Sequence, residues 1–278
     1  MNLNLSFRYC AALLVVGCGS TRLQAGDAGD YNAAYSFATS GYARTAAPSS
    51  ASTAGVASFG LFVTSRFLVA GSTQTFTSTR PTGSSTTWSY GVSKLEFNGD
   101  VSLSKKTDLQ GDYTIILPTN GPGTPGTERY AHQFLGMLDY QHSAQNYFEV
   151  DAGDYLGGRT AGPGYQNTAL LSLIASHNGS RDGKSNTNLD FELDASPASG
   201  GSPASVILTA GADHTFGSKV VVTALAQIGL TANDPAIGVS ISVKLLGKLS
   251  SETGEASRAL TFSKLQRLQE RFGKIGRF

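Results

Sequence analysis

The chain has 278 residues, of which 15% are charged, and a formal net charge of +1. So even a balance leaves no basic stripe to neutralise phosphates, which argues against a nucleic-acid partner, and the modest polarity argues against disorder. Gly accounts for 33 residues and Met for only 2, a mixture that suits many strands joined by turns better than a helical bundle.

The N-terminus has the order of an export signal. Arg8 precedes an apolar run from Cys10 to Val16, far short of the ~20 residues that a spanning helix needs. Two processing routes are open over residues 1–25. Val15-Val16-Gly17-Cys18 matches a lipoprotein signal box, which makes Cys18 a candidate for lipidation; cleavage after Ala25 is the other. Cys10 and Cys18 are the only cysteines, so neither route leaves a disulfide in the mature chain. No later segment is apolar for long enough to form a membrane helix.

From Tyr31 onward the hydrophobic period is nearer two than 3.6. Leu95 and Phe97 flank Glu96. Leu189, Phe191 and Leu193 alternate with Asp190, Glu192 and Asp194; Val239, Ile241 and Val243 alternate with Ser240, Ser242 and Lys244. Successive strand residues point to opposite faces, so each such segment carries one apolar and one polar side. In chain order, strands are expected near Asn32–Arg44, Gly55–Thr64, Thr86–Phe97, Gly111–Pro118, Tyr130–Gln141, Asn146–Tyr155, Tyr165–His177, Leu189–Leu193, Ala204–His214, Lys219–Gly229 and Ala236–Leu246. The Ser/Thr/Ala-rich region Ser49–Arg80 reads as one or two strands linked by long loops. Asn98-Gly99-Asp100 reads as a tight hairpin turn, and the Gly/Pro-rich stretch from Asn120 to Gly126 as a longer loop.

These features predict an all-β fold: an antiparallel, up-and-down transmembrane β-barrel of about 12 strands spanning residues 26–250. Several segments reach the ~9–11 residues that a tilted strand needs to cross a bilayer, whereas soluble sandwich strands average ~5–6. Many tyrosines fall near strand ends. Either an interfacial aromatic girdle or plain strand propensity accounts for that. Residues 251–278 differ. Phe262, Leu265, Leu268, Phe272 and Ile275 recur at helical spacing among Arg258, Lys264, Arg267, Arg271, Lys274 and Arg277. That is a basic amphipathic helix pattern, suited to a membrane surface, to the barrel rim, or to a solvated tail.

Three fragments carry a family resemblance. Asn98-Gly99-Asp100-Val101-Ser102-Leu103-Ser104 resembles the glycine-aspartate strand opening of outer-membrane transporters of the MetA-pathway of phenol degradation type. Ile115-Ile116-Leu117-Pro118-Thr119-Asn120-Gly121 is similar to that family's strand ending in a Pro-Thr-Gly turn, with Asn120 inserted. Gly229 to Pro235, followed by Gly238 to Ser242, is similar to its closing hairpin. The similarity spans roughly Tyr90 to Leu246 and rests on the order and spacing of the motifs; the helical tail departs from it. The resemblance implies a monomeric barrel and uptake of small, often aromatic, hydrophobic compounds. It supplies no catalytic residues.

In a spanning barrel the lipid face must be apolar, because a charge at the midplane costs ~2–4 kcal/mol. Asp190, Glu192 and Asp194 must therefore point inward, and so must Glu149 and Asp151, whose strand places Phe148 and Val150 on the other face. Arg159 and Lys244 are candidate basic partners for this acidic patch. It serves either as a lining that guides a solute or as a charge network that fills a narrow interior. Enzymatic readings find little support. His142-Ser143 and Ser176-His177 are sequence neighbours on opposite strand faces, and no nucleophile elbow is present. No cofactor or metal motif is present either: the histidines are scattered, and neither a glycine-punctuated Ca²⁺ loop nor a phosphate-binding glycine loop occurs. The sequence thus points to a bacterial outer-membrane channel that meets membrane lipids and an unidentified small solute as a monomer. The other reading is a soluble or lipid-anchored β-domain with a structural or binding role.

Overall fold

The computed structural model describes residues 29–248 apart from 43–49, 82–84, 90–92, 118–129, 159–164, 182–184, 199–203, 218, 232–233 and 235. It contains β1 (Asp30–Tyr42), β2 (Ser50–Thr64), β3 (Phe67–Pro81), β4 (Thr87–Ser89), β5 (Ser93–Ser102), β6 (Thr107–Leu117), β7 (Ala131–Gln141), β8 (Asn146–Gly158), β9 (Tyr165–Asn178), β10 (Thr187–Ser196), β11 (Ser205–Phe216), β12 (Val220–Gly229) and β13 (Ile237–Lys248). Each pairs antiparallel with its sequence neighbour, except that β3 pairs with both β4 and β5. The pairs Thr77–Ser89 and Thr73–Ser93 keep one register, so β4 extends β5 along the same edge of β3. β13 pairs with β1 from Asp30–Lys248 to Gly41–Ile237, which closes a 12-strand barrel.

Closure leaves no unpaired edge, and that is the condition under which strands can sit in hydrocarbon. The two faces have segregated accordingly. Phe148 and Val150, Leu171 and Leu173, Leu189 and Phe191, and Val239, Ile241 and Val243 all point outward and are 41–53% exposed. A soluble barrel buries such side chains. A continuous apolar exterior on this scale is a lipid-facing belt. Among the described residues no helix is long and apolar enough to cross a membrane.

The two ends of the barrel differ. One end carries Asp30, Lys248 and the connections 65–66, 103–106, 142–145, 179–186 and 217–219. The strand ends at the other are joined by residues 43–49, 82–86, 118–130, 159–164, 197–204 and 230–236. Mostly short turns on the side of the strand termini and longer connections opposite are the arrangement of outer-membrane barrels. The first end is called the terminal end below.

Two sequence expectations are corrected. Asn98-Gly99-Asp100 is not a turn. It lies inside β5, with Gly99 opposite Gly111 and Phe67, and the chain turns at residues 103–106. The residues that mimic a hairpin are polar because they face the barrel interior: Asn98 is 1% exposed and donates to Asp112 Oδ2 at 3.5 Å. The region Ser49–Arg80 is also more regular than its composition suggests. It forms two 15-residue strands joined at residues 65–66. Small side chains suffice there because pairing with neighbours on both sides fixes the backbone. Tyr147 and Tyr155 are buried inward, so at these two positions the tyrosine belongs to the lumen and not to an interfacial girdle.

Candidate functional site: the lumen

Strand parity carries one set of polar side chains into the barrel. β5 contributes Lys94, Glu96, Asn98 and Asp100, and β6 contributes Asp108, Gln110, Asp112 and Thr114. Gln133 and Asp139 come from β7; Tyr147, Glu149 and Asp151 from β8; Ser172 and Ser176 from β9. β10 adds Asn188, Asp190, Glu192 and Asp194, β11 adds Thr209 and Asp213, β12 adds Thr223 and Gln227, and β13 adds Ser240, Ser242 and Lys244. Carboxylates dominate this wall. Among the described inward strand positions the amines are Lys94 and Lys244. The acids gather on β5–β8, β10 and β11, while β1, β2 and β13 contribute mainly Ala, Ser and Val.

Neutral donors on adjacent strands hold many of these carboxylates. The Tyr147 hydroxyl touches both Asp139 and Glu149, and Gln110 Nε2 donates to Asp139 Oδ2 at 2.7 Å. Ser176 Oγ donates to Asp190 Oδ1 at 2.5 Å. Ser172 Oγ lies 2.7 Å from Asp194 Oδ1 and 3.3 Å from Glu192 Oε1. Asn178 donates to Asn188 at 2.7 Å, and Asn188 in turn donates to Asp213 at 3.0 Å. Such donors reduce the several kcal/mol that an ionised carboxylate would otherwise cost on leaving water. A band of apolar side chains adjoins the acids. Ile116, Ala131, Leu135, Met137 and Tyr155 pack together, with Leu170 against them.

The structure places Glu149, Asp151, Asp190 and Glu192 inward at 0–5% exposure, with Asp194 half-buried on the same face. Asp190, Glu192 and Asp194 share the β9 serines. Glu149 belongs to a different cluster, with Tyr147 and Asp139. Lys244 is inward and 2% exposed, on β13 between Ala34 of β1 and Val221 of β12. Arg159, Cys18 and the tail 251–278 lie outside the described residues. Glu96, Asp112, Asp139, Asp213 and Gln133 also lie on the inward face, each buried. Alternation marks Glu96, between Leu95 and Phe97, as a polar-face residue of the strand expected over Thr86–Phe97. Asp139 follows the same rule between Leu138 and Tyr140.

The four histidines stand apart. His132 lies 2.9 Å from the Tyr113 hydroxyl, His177 2.9 Å from Asn146 Oδ1, and His214 2.7 Å from Thr187 Oγ1; His142 stacks edge-on against Phe148. Asp151 points inward and Asp154 outward, so these two do not share a site. Among the described residues no group of three potential metal ligands converges.

Solved structures of outer-membrane barrels share this architecture. The COG4313 outer membrane channel from Pseudomonas putida F1 superposes with a TM-score of 0.66 at 12% identity, covering 81% of this chain and 98% of that one. The KdgM porin gives 0.53 at 4% identity over 77% of this chain and 98% of that one; it has also been solved in complex with disordered oligogalacturonate. The NanC porin gives 0.51 at 8% identity over 77% and 100%. At these identities the likeness is one of fold. No family model and no curated protein sequence matches the chain.

Proposed function

We propose that this chain is a passive channel of the bacterial outer membrane, admitting small solutes through a narrow acid-lined lumen. The observation that carries the reading is the inversion of faces: an apolar exterior surrounds an interior of carboxylates, amides and hydroxyls. A barrel selected only to fold would gain by filling its interior with apolar side chains, because replacing buried ionic groups with well-packed hydrocarbon is often neutral or stabilising. Retaining acids inside points to a polar path. Twelve strands lie between the eight-strand barrels that side chains just fill and the 16–18-strand porins that hold a wide aqueous channel. Inward side chains shielded to 0–5% exposure fit the narrow end of that range.

In this reading Glu149, Asp151, Asp190, Glu192 and Asp194 line the lumen, with Lys244 and Arg159 as basic counterparts, and solutes pass by weak binding and diffusion. The order and spacing of the three sequence motifs support placing the chain with transporters of the MetA-pathway of phenol degradation type. The inward apolar cluster around Leu135 and Tyr155 supports a solute with hydrocarbon or aromatic character. Residues 1–25 act as the export signal, with Cys18 as the alternative lipidation point, and the monomer is the working unit. Reconstitution into planar bilayers tests the channel. Discrete conductance steps from heat-modifiable protein support it; a correctly folded barrel that leaves the bilayer silent refutes it.

A further inference from the structure

The inward residues Glu96, Thr114, Gln133, Tyr155 and Thr168 form one row, each paired directly with the next across β5 to β9. Glu96 is 2% exposed and Gln133 0%. Neither carboxylate oxygen of Glu96 and neither amide atom of Gln133 makes a hydrogen bond. Asn98 Oδ1 and Gln110 Oε1, below them on β5 and β6, are also without one. Other inward carboxylates take at least one neutral side-chain donor: Asp112 from Asn98 and Thr114, Asp139 and Glu149 from Tyr147, Asp190 and Glu192 from the β9 serines, and Asp213 from Asn188. Buried polar groups are normally hydrogen-bonded, so the β5–β7 wall presents open acceptor capacity that a donor-bearing solute would fill.

The acceptors define that solute. Carboxylate and amide oxygens outnumber the single amide nitrogen of Gln133, which favours a cation carrying N–H groups. Lys94 is the next inward residue above Glu96 on β5. Ile116, Leu135 and Tyr155 flank Gln133 and offer apolar cover for a carbon body. Glycine at 153, the inward position between Leu135 and Leu170, brings the β7 backbone close: a Cβ there would lie 2.1 Å from the Phe134 carbonyl oxygen.

We propose that Glu96 and Gln133 form the selectivity site of the lumen and that it takes small organic ammonium ions. The N–H donors meet the Glu96 carboxylate and the Gln133 carbonyl, and the hydrocarbon lies against Ile116, Leu135 and Tyr155. The proposal rests on the channel reading and deepens it.

Reversal potentials across planar bilayers test it, with methylammonium chloride gradients and methylammonium against potassium. Glu96→Gln should lower the methylammonium-over-chloride permeability ratio by about threefold or more, the scale on which a single charge acts in a confined, low-dielectric path. Asp190→Asn, on the hydroxyl-bonded wall, should lower it less. Gln133→Leu keeps the volume and suits the apolar surroundings; it should reduce preference for methylammonium over potassium and carries the test alone if Glu96→Gln fails to fold. An unchanged ratio in both β5–β7 variants, or an equal fall with Asp190→Asn, overturns the proposal while leaving the channel intact. A silent wild-type barrel instead refutes the channel.

Discussion

Replacing Phe191 with arginine should cost little on a water-facing wall and much on a lipid-facing one, and so separates the two. Phe191 is the fifth of ten residues in β10, near the middle of the span. Its cross-strand partners are Ala175 and Ala210, too small to cover the ring, and it is 53% exposed. On a soluble protein a half-exposed position of this kind tolerates substitution within about ±0.5 kcal/mol. On a barrel wall, arginine at the midplane costs ~2–4 kcal/mol, which is a ~30- to ~700-fold loss in the folded-to-unfolded ratio at about 1.4 kcal/mol per decade. Tyr140→Arg, next to the last residue of β7, supplies the depth control: a charge near the interface costs only about 0–1 kcal/mol. The assay is urea titration of folding into phospholipid vesicles, with folded and unfolded protein separated by unheated gel migration. If Phe191→Arg stays within about 0.5 kcal/mol of wild type, or costs no more than Tyr140→Arg, the outward apolar face does not meet lipid and the membrane assignment fails.

The remaining predictions address packing and the polar interior. Gly153→Val should prevent recovery of the heat-modifiable form, because its Cβ would sit 2.1 Å from the Phe134 carbonyl oxygen; Gly111→Ala, with nothing within 4 Å of its Cβ, should fold normally. Tyr147→Phe should lower stability by about 1–3 kcal/mol in the same urea titration, since it removes the hydroxyl shared by buried Asp139 and Glu149. At the far end of the barrel, Asp234 accepts from Val206 N at 3.0 Å, Thr231 N at 3.1 Å and Thr231 Oγ1 at 2.7 Å. Asp234→Ala should therefore speed proteolysis in 230–236 while leaving the barrel heat-modifiable. Mass spectrometry of the mature N-terminus should find either a start at Gly26 or an acylated Cys18; an intact Met1 would refute export.

The balance of positions 139, 147 and 149 shows how little of the site's working chemistry lies in local pattern. Alternation predicts that Glu149 and Asp151 share a face, because parity is a property of the extended backbone alone. It says nothing of the tyrosine two residues before Glu149, which reads equally well as an interfacial residue until the barrel turns it inward. Glu96 was equally legible by parity. The strand expected over Thr86–Phe97 contains it, but Asn98-Gly99-Asp100 satisfies the local rules of a turn, and only pairing with β3 and β6 on either side shows those residues to be mid-strand. In Ser50–Pro81 the Ser/Thr/Ala-rich stretches on either side of Phe59–Val69 do not announce two 15-residue strands, and long-range ladders supply the order that composition withholds.

What the sequence by itself determined is therefore the class of the fold and the sidedness of its residues. A period of two separates the greasy positions from the polar ones, and segment length separates a membrane strand from a soluble one. Which strands meet, where the cylinder closes, and which carboxylates receive a hydroxyl while others face open amides were decided only by the tertiary structure. Those relations join residues such as Asp30 and Lys248, or Asp213 and Asn188, through hydrogen bonds between chain segments that no local window contains, and they exist only once the ring is complete.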